Sequence, residues 1–426
     1  MTELARTVGK RSTIFAWSLF DFANTAFSVI VVTVIYSRYF TTHVAGGKRW
    51  LWGLAVSLSM VCAAILSPPL GAAADFSRHR KLFLFIFTLA SVICTASLFF
   101  VQEGMVLAGV LLFVVANIGF EGGLVFYDAF LPSLTSAKSY GRVSGYGFAM
   151  GYLGALAVLV IVSYMLPDPS SRDYLFFVRF SFVVAAAFFL LFSLPMFFFV
   201  PEPQRVLSAS STRGYIRQGI RQAMRTFWVL FIGRDFRQIR RFLIAFFIYN
   251  DGILTVIVFA AIFAERILNM DDKAIIVFFA VVQTSAVIGS VVFGFITDKI
   301  GPKKTISLTL ALWIGITIGA FFVKTIAVFY VVALAAGVAI GSSQSASRSL
   351  MALLTPKERE AEFFGFYDGL CGKASAVIGP FIYGLIADFT NERIAALSIG
   401  LFFLAGLVLL QGVSEPERSI VPAHQP

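Results

Sequence analysis

The sequence predicts an all-α polytopic membrane protein, with twelve transmembrane helices in two pseudo-two-fold-related six-helix bundles around a central cavity. The chain of 426 residues is 58% hydrophobic, has a mean hydropathy of +0.86, and has only 13% charged residues. Soluble globular chains are about 25% charged, so this composition is typical of a chain built for lipid. Twelve apolar stretches are each long enough for the ~20 residues that a helix needs to cross a bilayer. Polar residues also repeat between the two halves of the chain.

The longest polar segment divides the twelve predicted helices into six and six. The expected domains are an N-terminal bundle at 1–200, a cytoplasmic linker at 201–241, and a C-terminal bundle with a short tail at 242–426. The first apolar run follows Arg6, Lys10 and Arg11 but is too long for the roughly 7–15 apolar residues of a signal peptide. The predicted helices are 13–40, 50–74, 82–101, 105–134, 143–166, 174–200, 242–265, 273–297, 304–323, 326–354, 361–387 and 393–413.

The basic residues predict the orientation. Most of the 34 Lys and Arg residues fall in the termini and in the loops that an N-inside topology places in the cytoplasm. Both termini are therefore expected to be cytoplasmic, in a bacterial inner membrane or an organelle membrane. This distribution accounts for the net charge of +11 without nucleic acid as a partner.

The linker contains a predicted amphipathic helix. Its basic stripe lies beside an apolar stripe, which is typical of helices that lie along a membrane surface. We interpret it as a passive tether, with a regulatory role as the alternative. The stripes consist of Arg213, Arg217, Arg221 and Arg225, and of Ile216, Ile220, Met224 and Phe227.

Two loops repeat a pattern of a glycine, an acid and paired bases. The second-half copy is Gly294-x3-Asp298-Lys299-x-Gly301-Pro302-Lys303-Lys304, and the first-half copy is Gly71-x3-Asp75-x4-Arg80-Lys81. The pattern resembles the loop signature of the major facilitator superfamily, although Phe76 replaces a usual base and Arg78 a usual glycine. Gating between the two halves is the role that the resemblance implies for Asp75, Arg80, Lys81, Asp298, Lys303 and Lys304. The alternative for the bases is a topological anchor only.

Further motifs in both halves narrow the resemblance. They are Trp17-Ser-Leu-Phe-Asp21-Phe-Ala-Asn24, Tyr127-x2-Phe130-Leu-Pro132, Gly145-Tyr-x4-Gly151-Tyr-Leu-Gly154, Tyr249-Asn250-Asp251-Gly252, Gln344-x2-Ser347-Arg348-Ser349 and Phe363-Phe-Gly365-Phe-Tyr367. Together they are similar to the branch that includes the fungal autophagy-related vacuolar amino-acid effluxers, over nearly the whole chain. The resemblance implies a secondary transporter that works by alternating access and exports neutral amino acids.

The residues themselves indicate a transport pathway. Asn117, Glu121 and Asp128 lie at positions i, i+4 and i+11 of the fourth predicted helix, so they share one face. A carboxylate at bilayer depth costs several kcal/mol unless it faces water or a partner. Burial favours the neutral carboxyl, so protonation can change when the site switches its exposure. We therefore expect coupling to H+, with Glu121 and Asp128 as proton carriers.

Further polar residues predict a site for a small zwitterion. Asp128 and Arg348 occupy corresponding positions of the two halves and are expected to face each other across the cavity. Acids would meet the ammonium group of the solute, and Arg348 would meet its carboxylate. The predicted substrate-binding residues are Asp21, Asn24, Tyr127, Asp128, Asn250, Asp251, Gln344, Arg348, Tyr367, Asp368 and Lys373.

Several alternatives stay open. Asp128 and Arg348 could form a buried ion pair that locks one conformation and never touches substrate. Asp21 and Asp251 could hold helix ends together by hydrogen bonds. The solute could instead be an organic cation, a siderophore or a drug. A membrane sensor or a lipid scramblase would not need matched acids, which disfavours both.

The sequence disfavours an enzyme and a metalloprotein. Cys62, Cys94 and Cys371 lie inside predicted helices without metal-ligand spacing, and the three His residues are scattered. Gly372-Lys373-Ala374 lacks the upstream glycine and the Ser or Thr of a phosphate-binding loop. We therefore expect no catalytic residues, no metal and no cofactor. The expected partners are a small solute, H+ and the lipid bilayer, for a chain that acts as a monomer.

Overall fold

Helices account for all regular secondary structure in the described part of this computed structural model, which comprises residues 10–202, 212–233, 235–270, 272–376 and 378–416. Eleven of these helices are long and apolar enough to cross a membrane, and a twelfth apolar helix is shorter. The all-α architecture is therefore confirmed. In the first half the helices are α1 Arg11–Val44, α2 Arg49–Ser77, α3 Arg80–Phe100, α4 Val106–Leu134, α5 Ala137–Met165 and α6 Tyr174–Phe199.

The second half follows a separate helix, Thr212–Phe231, which we call the linker helix. Its side chain at Arg213 lies outside the described residues. The later helices are α7 Arg237–Leu268, α8 Asp272–Ile300, α9 Pro302–Phe322, α10 Ile326–Leu354, the interrupted α11, and α12 Glu392–Gln411.

Helix α11 differs from the single helix predicted at 361–387. It begins as Glu360–Phe364, continues with π-helical hydrogen bonds over Gly365–Gly372, and resumes as Ile378–Phe389. A proline lacks the amide hydrogen and its ring clashes with the carbonyl four residues earlier. For Pro380 that carbonyl belongs to Ala376, which lies in the turn. The break therefore has a local cause.

The chain packs as two compact units. Unit 1 contains the residues up to Phe130, together with Met150–Arg221 and Ala361–Gly365. Unit 2 contains Leu131–Ala149, Gln222–Glu360 and the residues from Phe366 onward. The division of the sequence at 1–200, 201–241 and 242–426 stays a prediction.

Both units pair their helices in the same order. In unit 1, α1 packs on α6, α2 on α4, and α3 on both α4 and α6. In unit 2, α7 packs on α12, α8 on α10, and α9 on both α10 and α12. Each pair in unit 2 is the counterpart, six helices later, of a pair in unit 1. This matched pairing supports the predicted duplication of a six-helix unit.

Large apolar side chains cover the outer surface of many helices. Leu107, Phe198, Val331 and Leu401 are each at least 65% exposed, and they lie on four different membrane-length helices. An apolar surface this extensive would be costly in water but is suited to acyl chains. These apolar helix surfaces therefore face lipid.

Candidate functional site

In unit 1, a buried carboxylate lies among aromatic rings on α1 and α4. The Tyr127 hydroxyl donates a hydrogen bond of 2.9 Å to Oδ2 of Asp21, and the Asn24 amide donates one of 3.3 Å to Oδ1. The Trp17 ring stacks on Tyr127 at 4.5 Å, and its Nε1 donates to the Tyr127 carbonyl. The Phe20 ring also stacks on the Tyr127 ring, with 5.0 Å between the ring centres. Three of the predicted site residues therefore form one cluster, which Trp17 and Phe20 support.

The face of α4 that carries Asn117, Glu121 and Asp128 is buried. Asn117 is fully buried, and its amide donates to the Ser59 hydroxyl of α2 at 2.8 Å. Glu121 and Asp128 are each 7% exposed. Buried carboxyl groups on a membrane-length helix are rare and commonly mark a functional site, so both are candidates for a functional role.

In unit 2, the guanidinium of Arg348 on α10 is held by the start of α5. Its Nε donates to the Ser144 hydroxyl at 2.9 Å, and one Nη donates to the Ser144 carbonyl at 2.7 Å. The guanidinium carbon lies 3.9 Å from the centre of the Phe148 ring. Arg348 is only 1% exposed. The planar group is therefore fixed in orientation before any ligand arrives.

Helix α7 connects to the break in α11 through two polar residues. The Asn250 amide donates to the Ser375 hydroxyl at 2.6 Å, and Oδ2 of Asp251 accepts from the Gly379 amide at 2.8 Å. Asp251 is buried. These contacts anchor both sides of the α11 turn to α7, as the helix-joining alternative for Asp251 expects.

The remaining predicted residues of unit 2 lie on α10, on the π-helical part of α11, and directly after that part. Lys373 and Asp368 form an ion pair of 3.4 Å whose side chains are partly exposed. Tyr367 packs its ring against Phe246 at 4.3 Å. Gln344 is partly exposed on α10. Substrate binding by these residues stays a prediction.

Asp75, the acid of the first repeated loop, accepts hydrogen bonds from the start of α11 within unit 1. Its Oδ1 accepts from Nε of Arg80 at 2.7 Å and from the Ala361 amide at 3.2 Å, and its Oδ2 accepts from the Glu362 amide at 2.9 Å. A Cβ at Gly71 would collide with the carbonyl of Ala361. The glycine of the motif thus permits the close approach, and the acid satisfies amides that the helix itself leaves unbonded.

The second repeated loop does the same for the start of α5 within unit 2. Oδ1 of Asp298 accepts from the amides of Gly141 and Arg142 at 2.9 and 3.3 Å. Nε of Arg142 lies 2.9 Å from the other carboxylate oxygen. A Cβ at Gly294 would crowd the backbone of Gly141 and Arg142. The two motifs are therefore equivalent docking sites, each for one helix start.

The motif lysines have a different environment. Nζ of Lys81 donates to the Phe197 carbonyl at 2.8 Å, near the end of α6, and Nζ of Lys303 donates to the Gln411 carbonyl at 2.9 Å, at the end of α12. Lysines commonly satisfy the last carbonyls of helices in this way. Lys304 is exposed. Their contacts match the anchor alternative, and a gating role for them stays a prediction.

The comparisons with known proteins agree on one family. A family model described as "Vacuole effluxer Atg22 like" matches residues 52–423. The chain belongs to this family. The chain is 28% identical over 432 residues to an uncharacterized MFS-type transporter, YxiO, of Bacillus subtilis (strain 168), covering 96% of both chains. It is also 24% identical to autophagy-related protein 22 of Yarrowia lipolytica, covering 79% of this chain and 70% of the relative.

Solved structures show the same fold. The human organic anion transporter MFSD10 (TETRAN) superposes with a TM-score of 0.73 at 17% identity, over 96% of this chain and all of that one. The proton:xylose symporter XylE superposes with a TM-score of 0.71 at 16% identity, over 95% and 96% of the two chains. The predicted major facilitator fold is confirmed. This Atg22-like chain is an integral membrane protein and an MFS-type transporter.

Sequence reasoning missed the neutral residues that hold the charged ones. Ser144 and Phe148 fix Arg348 but carry no charge within an apolar run. Only the spacing in the sequence could have indicated these residues, because Gly141, Ser144 and Phe148 lie at i, i+3 and i+7 on one helix face. Glu202 was also missed, and its Oε1 accepts from the Lys81 amide at 2.9 Å.

Proposed function

We propose that this transporter exports a small zwitterionic solute, such as a neutral amino acid, in exchange for H+ by alternating access. The transporter class follows from the family and the fold. Efflux is supported by the description of the family as vacuole effluxers. The zwitterion is supported by the charges of the candidate site.

The fixed guanidinium of Arg348 is the observation that carries this proposal. Ser144 and Phe148 hold its plane, so little side-chain entropy remains to be lost when a carboxylate binds. A guanidinium matches a carboxylate by two parallel hydrogen bonds, which a lysine cannot reproduce. We assign the carboxylate of the solute to Arg348.

The ammonium group of the solute is assigned to Asp21. Tyr127 and Asn24 orient its carboxylate. The buried Tyr127 ring packs against Trp17 and Phe20, which keeps its hydroxyl on Asp21.

Proton coupling is assigned to Glu121 and Asp128. Both are buried carboxyl groups on one face of α4. A proton on either acid changes the charge of the pathway, and inward movement of H+ would then drive outward movement of the solute. Glu121→Gln mimics the protonated state and is expected to leave exchange intact while abolishing its response to a pH gradient.

Gating is assigned to the docking of α11 on Asp75 and of α5 on Asp298. Each helix start is held by hydrogen bonds to a single carboxylate and packs closely on a motif glycine, so loss of the bonds to that carboxylate would favour its release. We also propose that both termini of the chain are cytoplasmic. Cysteine labelling from outside should modify Ser170→Cys and not Gln218→Cys in intact cells.

Ligand-induced thermal stabilisation of the purified protein tests the solute class. The panel is a neutral amino acid series together with the matching amines and carboxylic acids. Only the zwitterions should raise the unfolding temperature of the wild type. Arg348→Lys should lose this response while remaining folded, whereas Asp21→Asn should lose the preference for an ammonium group. Equal stabilisation by amines that lack a carboxylate would contradict the assignment of Arg348 and favour an organic cation.

A further inference from the structure

The linker helix, Thr212–Phe231, has one side packed against protein. Gly219, Ala223, Thr226 and Leu230 are its buried residues. At about 100° per residue these four fall within a sector of roughly 60°. The contacts are specific, because a Cβ on Gly219 would crowd the backbone of α2 near Pro69, and Thr226 accepts a hydrogen bond of 2.6 Å from Arg359. The helix is thus a fixed element of the protein surface.

A second stripe of the linker helix is apolar and exposed. Ile216, Ile220, Met224 and Phe227 are between 42% and 59% exposed. By the same helical geometry this stripe is centred roughly 90° from the packed side. An apolar stripe of four large side chains on a transporter surface requires a partner that excludes water.

A third stripe is basic. Arg217, Arg221 and Arg225 are exposed, and none makes a hydrogen bond or ion pair with any described residue. Trp228, 58% exposed, continues this stripe, which lies roughly opposite the packed side. The helix has no acidic residue to neutralise these charges. Three exposed guanidinium groups in a row form a surface that attracts an anionic partner.

We propose that the linker helix is a binding site for anionic phospholipids, with Arg217, Arg221 and Arg225 contacting headgroup phosphates. The apolar stripe lies between the packed side and the basic stripe, so a bilayer that receives the apolar side chains brings its headgroups to the arginines. Guanidinium groups bind phosphate oxygens in a bidentate manner. Trp228 lies at the polar edge, where tryptophan is favoured at membrane interfaces.

The order of packed side, apolar stripe and basic stripe around the helix favours a lipid surface over a nucleic acid or an acidic protein. A nucleic acid would satisfy the arginines and leave Ile216, Ile220 and Met224 in water. Within unit 1, Gly219 of the linker helix contacts α2 one turn or so before Asp75.

Quenching of Trp228 fluorescence by brominated lipids tests the proposal in the full-length protein. The protein is placed in nanodiscs that contain a fixed fraction of either brominated phosphatidylglycerol or brominated phosphatidylcholine. The contribution of Trp228 is the difference between the wild type and Trp228→Phe. The anionic lipid should quench Trp228 more strongly. Its local enrichment is expected to be at least about fivefold, because a single arginine near an anionic surface already contributes about that factor.

Two variants with equal loss of charge provide the comparison. Arg217→Gln/Arg221→Gln/Arg225→Gln should quench equally with both lipids. The matched control removes exposed bases of other loops, namely Lys48→Gln/Arg49→Gln/Arg172→Gln, and should keep the preference.

Three results would overturn the inference. They are equal quenching by both lipids in the wild type, a preference that persists in the arginine variant, and loss of the preference when excess soluble glycerol phosphate is added. The last result would show that a soluble anion, rather than a bilayer, occupies the site.

Discussion

Replacing Asp75 by Asn should destabilise the protein more than the equivalent Asp298→Asn. Both carboxylates accept hydrogen bonds from two backbone amides and form an ion pair with one arginine, so their sets of contacts are similar. The arginines differ, because the Arg80 side chain is 9% exposed and Arg142 is 44% exposed. Asp75→Asn therefore leaves a buried cation without its anion, whereas solvent screens the cation left by Asp298→Asn.

The magnitudes follow from these environments. Removing one partner of a buried ion pair costs about 3–5 kcal/mol. Removing one partner of an exposed pair costs about 0.2–1 kcal/mol, to which the weakened amide hydrogen bonds add about 1 kcal/mol. Unfolding temperatures shift by about 2–4 °C per kcal/mol in domains of 150–250 residues, and less in longer chains. We expect a decrease of roughly 5–10 °C for Asp75→Asn and of roughly 1–4 °C for Asp298→Asn.

Thermal unfolding of the detergent-purified variants, followed by tryptophan fluorescence, measures this difference. Hydrogen exchange resolved by peptide gives the local readout. Amides at the start of α11 should lose protection in Asp75→Asn only, and amides at the start of α5 in Asp298→Asn only. Equal decreases in unfolding temperature, or unchanged exchange at 361–365 in Asp75→Asn, would refute the reasoning.

Three further outcomes are expected. Gly145→Ala should cost about 1–3 kcal/mol, because its Cβ would collide with the α8 backbone, whereas Gly315→Ala, which has open space, should unfold at or above the wild-type temperature. Tyr127→Phe should weaken binding of the solute ammonium group about tenfold, measured by thermal shift, because Asp21 loses a charge-assisted hydrogen bond. Burial raises the pKa of Glu202 above its ordinary 4.5, so the folded state keeps a proton that the unfolded chain has lost. Stability should therefore fall as the pH rises from about 4.5 through that raised pKa, and Glu202→Gln should flatten this fall in a pH series of unfolding temperatures.

The membrane helices could be predicted from the sequence because a bilayer requires ~20 consecutive apolar residues, and eleven helices of membrane length bear this out. The interruption of α11 could not be predicted in the same way. Pro380 and the neighbouring glycines leave the apolar run unbroken, so a hydropathy profile does not reveal the break in the helix. Only the backbone constraints of proline indicate such a break.

The candidate site was predictable where it carries charge. Arg348 was identified because charged residues within apolar runs are rare and costly. Asp75 and Asp298 were identified because they are the acids of the repeated loop pattern. Their partners were not identified, since backbone amides are present at every residue and Ser144 is an ordinary polar residue of a helix. Which of these neutral groups meets a given charge depends on packing between distant segments, and one sequence does not encode that locally.

Counterflow in proteoliposomes tests the central claim most directly. Vesicles preloaded with unlabelled neutral amino acid receive the labelled compound outside, with and without an imposed pH gradient, for the wild type and Glu121→Gln. The proposal predicts accumulation of one neutral class that responds to the gradient in the wild type, and exchange without that response in Glu121→Gln. Absence of counterflow for every neutral amino acid, in vesicles where the protein is shown to be folded, would contradict amino-acid transport.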